Sequence, residues 1–241
     1  MKILTWNIWY KEDPKNVLEL LKSTEWDVCC LQEVMRGFHP EVEDVTEYLK
    51  KNLCVEGYFA IAQGRSEKGW SQGNLILSRL PIADTFSYFI QDKSDDLEPS
   101  FSDEGRVVTG IELENSLKIL ATHMSYTPQF EETAKKNTES ERLTEYLKEL
   151  EQPFVFCGDL NAVPTSNLIQ NLSQDYKNLS PNFTEPTWTT KPFSHEGFEV
   201  DTLTYRLDYM FGSKEVEMID SKIIQTKFSD HLPILTEIKN N

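Results

Sequence analysis

Apolar positions along the chain fall into short runs, and most of these runs end on a polar residue. Residues 2–8 are apolar and partly β-branched, which predicts a strand. Asp13-Pro14 reads as an N-cap followed by proline at the first helical position, and Val17, Leu18 and Leu21 supply the stripe of a first helix. The compact apolar run 27–32 predicts a buried strand. Val42, Val45, Leu49 and Leu53 recur at helical spacing and predict a second helix. Strands are predicted over 58–62, 74–78 and 86–90, and a hairpin over 107–113 and 117–122 around Glu114-Asn115-Ser116. A long helix is expected over 131–150, with Leu143, Tyr146, Leu147 and Leu150 on one face. A strand follows at 153–157, and further strands lie near 204–211, 215–225 and 232–238.

Strands dominate this pattern, helices punctuate it, and several neighbouring strands are joined as hairpins. A doubly wound parallel sheet needs a helix between nearly every pair of strands, which this chain lacks. The expected class is α/β (α+β), with two mixed or antiparallel sheets packed face to face and helices outside. No repeat, low-complexity tract or Pro/Gly linker divides the chain, so residues 1–241 are read as a single domain.

Composition narrows the class further. Hydrophobic residues make up 39% and aromatics 11% of 241 residues, which fits a packed core and not a disordered chain. No apolar run approaches the roughly 18 residues that a membrane span needs, so no membrane insertion is expected. The four cysteines contain no CxxC pair, and the first residues read as a strand without a signal-peptide shape. A reduced, cytoplasmic chain is therefore expected, and a monomer. The net charge of −16 opposes salt-driven binding to a polyanion, whose affinity comes largely from lysine and arginine at phosphates. A local basic patch or a bound cation can reverse that field at one cleft. The polar, acidic stretch 91–105 reads as a loop, and with 189–201 it is expected to line the cleft.

The chemistry is concentrated where strands end. Asn7 follows Leu4-Thr5-Trp6, and Glu33 follows Val28-Cys29-Cys30-Leu31-Gln32. A charge at the end of a buried strand is expensive unless paired or coordinated, and these two side chains together offer hard oxygen ligands to Mg²⁺. Gly158-Asp159-Leu160-Asn161 follows the strand 153–157. It reads either as an Asx-type turn or as two oxygen-bearing side chains aimed the same way, with Asp159 at an attacking water and Asn161 at a phosphoryl oxygen. His123 ends the strand 117–122, where it can donate a hydrogen bond or a proton to a phosphate ester. Asp208 lies inside an apolar run, and its natural partner is the imidazole of His231. In an extended segment Asp230 and His231 point to opposite sides, one toward a cation and one toward substrate. Arg106 either contacts phosphate or balances nearby acids. Trp188 either stacks on a substrate ring or packs.

Taken in order, the set resembles the endonuclease/exonuclease/phosphatase superfamily from Met1 to Ile238. The pieces are Thr5-Trp6-Asn7-Ile8, Leu31-Gln32-Glu33-Val34, Gly73-Asn74-Leu75-Ile76-Leu77-Ser78 and Thr122-His123. They continue with Gly158-Asp159-Leu160-Asn161, Arg206-Leu207-Asp208-Tyr209 and Ser229-Asp230-His231-Leu232-Pro233. The resemblance implies a four-layer sandwich with the site at one end of the two sheets. It implies Mg²⁺ (or Mn²⁺) held mainly by Glu33, with Asn7 and Asp230 nearby, and in-line attack of water on phosphorus. In that scheme Asp159 orients or activates the water, Asn161 holds the phosphoryl group, the His231–Asp208 pair polarises it, and Asn74, Arg106 and Trp188 contact substrate. The segments around Arg106 and Asp208 are similar to the exonuclease III and apurinic endonuclease branch. His123 departs from that branch, which carries tyrosine there, and is similar instead to the deoxyribonuclease I, sphingomyelinase and tyrosyl-DNA phosphodiesterase branches. The expected function is a metal-dependent phosphodiesterase acting on nucleic acid or a nucleotide-linked ester. The alternatives are a phosphatase or phosphodiesterase for inositol phosphates or phospholipid head groups, and a binding scaffold without chemistry.

Overall fold

The computed structural model describes residues 1–65, 69–91 and 105–239. Its first sheet has six strands in the order β13-β14-β1-β2-β4-β3, formed by Met218–Ile223, Ile234–Ile238, Lys2–Asn7, Val28–Arg36, Trp70–Ser78 and Glu56–Arg65. Its second sheet has the order β5-β6-β7-β8-β12-β9, formed by Ile82–Phe89, Val107–Leu113, Lys118–His123, Phe154–Asp159, Asp208–Gly212 and Lys177–Asn178. A two-stranded hairpin of β10 (Phe193–His195) and β11 (Phe198–Val200) stands apart from both.

Ile3, Val28, Cys30 and Ile76 from the first sheet meet Ile111, Ile119, Ala121, Val155, Cys157 and Met210 from the second, and this is the central core. The opposite face of the first sheet, with Leu4, Trp6, Leu31 and Leu75, packs on Val17, Leu18 and Leu21 of α1 (Pro14–Ser23) and on Val45 and Leu49 of α2 (Val45–Leu53). The outer face of the second sheet, with Leu120, Phe154, Phe156 and Phe211, packs on Leu143 and Leu147 of α3 (Ala134–Glu149) and on Leu168, Ile169 and Leu172 of α4 (Asn167–Asp175). The layers therefore run helix, sheet, sheet, helix, as the resemblance implies. Strands β1, β2 and β8 are buried on both faces, which is why they read as continuous apolar runs and not as alternation.

Several boundaries differ from the sequence reading for local reasons. Asp44 caps α2 through its side chain, so the helix starts after Val42, which is buried ahead of it. Thr133 caps α3, and a 3-10 turn over Pro128–Phe130 precedes it, so the helix begins three residues later than expected. Helix α4 was not anticipated, although Ser166 at its N-cap and Leu168, Ile169 and Leu172 at helical spacing mark it. The segment 189–201 contains the β10–β11 hairpin. Most of the acidic stretch 91–105 lies outside the described residues.

Two parallel pairings set up the site. Strand β1 lies parallel to β2 with Asn7 opposite Gln32, and β7 lies parallel to β8 with His123 opposite Asp159. The second pairing depends on Gly158, opposite Thr122, whose φ is +138° and whose missing Cβ would sit 2.0 Å from the Thr122 carbonyl oxygen. Gly158→Ala is expected to destabilise the protein by about 1–3 kcal/mol or more, measured by urea unfolding. A variant as stable as its parent would contradict this register.

Candidate active site

The ends of the two sheets open into a cavity of about 680 Å³. Glu33, Arg106, His123, Asp159, Asn161, Trp188, Asp230 and His231 line it, and Asn7 and Asp208 are buried against those groups. Of the residues expected at the site, Asn74 stands elsewhere. It is buried on β4, and its Nδ2 donates to the Val107 carbonyl at 2.9 Å, which ties the two sheets together.

Glu33 is not at a strand end, because β2 runs on to Arg36. Gln32 and Glu33 together oppose Asn74 alone, between the Leu31–Leu75 and Val34–Gly73 pairs, so the strand bulges. Glu33 takes φ +59° there, a left-handed conformation that a non-glycine residue adopts only under constraint. Its carboxylate accepts from Asn7 Nδ2 at 3.0 Å and from the Tyr10 backbone N–H at 3.0 Å. Burial and the nearby Asp230 carboxylate push its pKa up to about 7.

Asn7 bridges the two sheets at this end. The same Nδ2 donates to Asp159 Oδ2 at 3.0 Å, and its Oδ1 accepts from the Trp9 backbone N–H. Asp159 Oδ1 accepts from the Asn161 backbone N–H at 2.9 Å. The Gly-Asp-Leu-Asn run is thus an Asx turn and a source of two cavity side chains at once. Burial raises Asp159 to about 6, and the Asp208 carboxylate adds to that shift.

His231 Nδ1 lies 2.8 Å from Asp208 Oδ2, which leaves Nε2 free to face Asp159 Oδ2 at 3.5 Å. Burial pulls the imidazole down, but Asp208, Asp159 and Asp230 outweigh it and hold His231 well above its ordinary range. Asp208 is fixed by β12, and Thr187 Oγ1 accepts from the backbone N–H groups of Leu207 and Asp208. Asp208 Oδ1 is buried without a hydrogen-bond partner among the described residues. Trp188 is buried and donates from Nε1 to Asp230 Oδ2 at 3.2 Å, so it orients that carboxylate while lining the cavity.

His123 behaves differently from His231. Burial and the Arg106 charge hold it well below its ordinary range, so it is neutral. Asn161 Nδ2 donates to Met124 O at 2.9 Å and faces His123 Nε2 at 3.1 Å, which makes that nitrogen an acceptor and places the ring proton on Nδ1. Both amide hydrogens of Asn161 are thereby engaged. It reaches a phosphoryl oxygen only by giving up His123.

Asp159, Asp208 and His231 bring one ligand atom each within 4.8 Å of one another and form a possible metal site. Other contributors to the site escaped the sequence reading. Tyr10 supplies a backbone donor to Glu33, and Tyr10, Phe38, Trp70, Tyr126 and Phe193 give the cavity aromatic walls. The backbone donor carries no sequence signal. The aromatics come from loops and strand edges that only the fold brings together. Arg206 is buried and donates to the carbonyls of Pro181, Asn182, Glu185 and Asp208, so it braces the strand end from behind.

No curated protein sequence matches the chain. A functionally unknown protein of Enterococcus faecalis is similar in structure with a TM-score of 0.74 at 17% identity, covering 100% of both chains. A mannosyl-6-phosphatase of Bacteroides thetaiotaomicron gives 0.70 at 13% identity over 100% of both chains. TDP2 of D. rerio, complexed with single strand DNA product, gives 0.71 at 15% identity, covering 100% of this chain and 99% of its own. At these identities the likeness shows the fold alone. The Endonuclease/Exonuclease/phosphatase family model matches residues 4–231, a span that holds every polar side chain of the cavity, and the chain belongs to that family.

Proposed function

We propose that the protein is a divalent-cation-dependent phosphoester hydrolase that directs water onto phosphorus in line with the leaving oxygen. The observation that carries this reading is the convergence of Glu33 and Asn7 from one sheet with His123, Asp159 and the His231–Asp208 pair, largely from the other, in one cavity. Glu33 would hold the cation, with Asn7 and Asp230 beside it and Asp159 at its border. The donor set fits Mg²⁺ or Mn²⁺, because it is made of hard oxygens, and burial together with the Asp230 carboxylate already raises the pKa of Glu33 in the absence of a cation. When bound, the cation supplies charge to the phosphoryl oxygens.

The remaining work falls to side chains. Asp159, held by Asn7 Nδ2 and the Asn161 N–H, orients the attacking water and takes its proton. His231 is held protonated by Asp208 and donates from Nε2 to a phosphoryl oxygen, where negative charge builds in the transition state. Arg106 adds a second positive group at the cavity wall. The aromatic walls support a phosphodiester carrying a planar group that can stack, as in a short nucleic acid, over a polyol phosphate. A substrate panel with Mg²⁺ that compares a single-stranded oligonucleotide with a sugar phosphate and an inositol phosphate tests that preference.

His231→Ala and Glu33→Gln are each expected to lower hydrolysis of the preferred substrate by on the order of 10²–10⁴-fold while the protein stays folded. Wild-type turnover in either variant would sink the assignment.

Stability should report the same site without any substrate. The folded pKa of Glu33 lies above its ordinary 4.5, so between 4.5 and about 7 the folded state binds more protons than the unfolded one. Its contribution is present at low pH and is lost as pH rises through that window. Asp159 acts in the same sense up to about 6, and His123 opposes both below 6.5. In EDTA, the melting temperature of the wild type relative to Glu33→Gln is expected to fall between pH 5 and pH 7.5. Mg²⁺ at about 100 times its Kd should return roughly 2.7 kcal/mol, about 5–10 °C, to the wild type at pH 7.5. Glu33→Gln should gain much less. Equal gains in both proteins would remove Glu33 from the metal site.

A further inference from the structure

Helix α3 carries two buried charges, Lys136 in its first turn and Glu139 one turn later on the same face. They continue the stripe of Leu143 and Leu147, where an apolar residue would be expected. A cation in the first turn of a helix lies at the positive end of the backbone dipole. Burial adds desolvation, which pushes Lys136 down to about 7 against the pull of Glu139 and Asp159. As a contribution to stability the residue is badly placed, and an apolar side chain of the same volume would often serve as well or better.

What Lys136 touches accounts for its position. Nζ donates to the Ser125 carbonyl and to the Leu160 carbonyl, both at 2.7 Å. Ser125 lies two residues after His123, and Leu160 lies between Asp159 and Asn161. One ammonium therefore joins the two segments that leave the parallel strands β7 and β8. Across the gap between those segments run the Asn161 contacts with His123 Nε2 and Met124 O. Glu139 completes the brace. It accepts from the Ser125 backbone N–H at 3.1 Å and from Ser125 Oγ at 2.5 Å, and the same Oγ accepts from Arg106 Nε at 3.3 Å.

We infer that Lys136 is a positioning residue for the proposed hydrolysis. With Glu139 and Ser125 it clamps the β7 and β8 exits so that Asn161 holds His123, and His123 and Arg106 meet the phosphoester in one arrangement. The inference rests on the hydrolase reading for its kinetic consequence but not for its structural one. In Lys136→Met the two carbonyls lose their shared donor, and the His123–Asn161 contact loosens.

The test measures kcat and KM for bis(4-nitrophenyl) phosphate with Mg²⁺, together with the ¹⁵N resonances of His123, in the wild type and in Lys136→Met. The chain has four histidines, so the His123 signals can be assigned with one His123→Gln control. Lys136→Met is expected to lower kcat by on the order of 10²-fold, since a displacement of about 1 Å remote from the chemistry has that effect. KM should stay within about threefold, and His123 should change from a pure Nδ1–H tautomer to a mixture. Lys136→Gln keeps N–H donors for both carbonyls without the charge and should fall between the two. If Lys136→Met does not fold, Lys136→Gln is judged by the same readouts. A folded variant with unchanged kcat, or with lowered kcat and an unchanged His123 tautomer, overturns the proposal. A wild type inactive on the diester counts against the hydrolase reading, and the His123 tautomer alone then decides the role of Lys136.

Discussion

Four carboxylates, Glu33, Asp159, Asp208 and Asp230, share one end of the sandwich, and their burial, with Asp230 acting on Glu33 and Asp208 on Asp159, is the constraint around which the other parts are arranged. Each acid has a different means of staying in place. Asp208 has an imidazole, Asp230 an indole N–H, Asp159 an amide and a backbone N–H, and Glu33 an amide and a backbone N–H. Asn7 touches two of the four, so the amide at the end of β1 is the point where the sheets' charges are held in register. Acids gathered in this way favour a cation beside them, and the net charge of −16 adds to that field.

The backbone bears part of the strain. Glu33 and Asn161 both sit in the left-handed region, one inside a bulge and the other just past a strand end. Asparagine visits this region readily, but glutamate does not, so the Glu33 conformation persists because the surrounding ladder over-determines it. For Glu33 the ladder is double, since β2 is paired on both sides by β1 and β4. Asn161 is held by the turn closed on Asp159 together with the side-chain bonds to His123 and Met124.

The sandwich and most of its strands were legible because apolar runs of strand length mark elements buried on both faces, and Asp13-Pro14 marked a helix start by local chemistry alone. Helix α4 had comparable local signals in Ser166 and its leucines, but the sequence reading places no element between residues 157 and 204. Polar residues at strand ends pointed to the cavity, whereas Asn74, placed there only by the resemblance, donates its amide to a carbonyl across the sheets instead. The strand-end rule could not find Lys136 and Glu139, which lie on a helix. Their i, i+3 spacing on an apolar stripe was visible, but which carbonyls they meet depends on how two distant loops fold. The aromatic walls were illegible for the same reason, because their members come from positions as far apart as Tyr10 and Phe193.

Strand β1 lies between β2 and β14, and the Met1 amino group donates to the Ile238 carbonyl at 2.9 Å. The first and last strands among the described residues are therefore neighbours at the centre of one sheet. During synthesis β1 presents an open hydrogen-bonding edge until residues 234–238 have left the ribosome, and such an edge is a template for pairing with another chain. His231 and Asp230 arrive with that same last strand, so a nascent chain holds the carboxylates of Glu33 and Asp159 well before the imidazole that answers them.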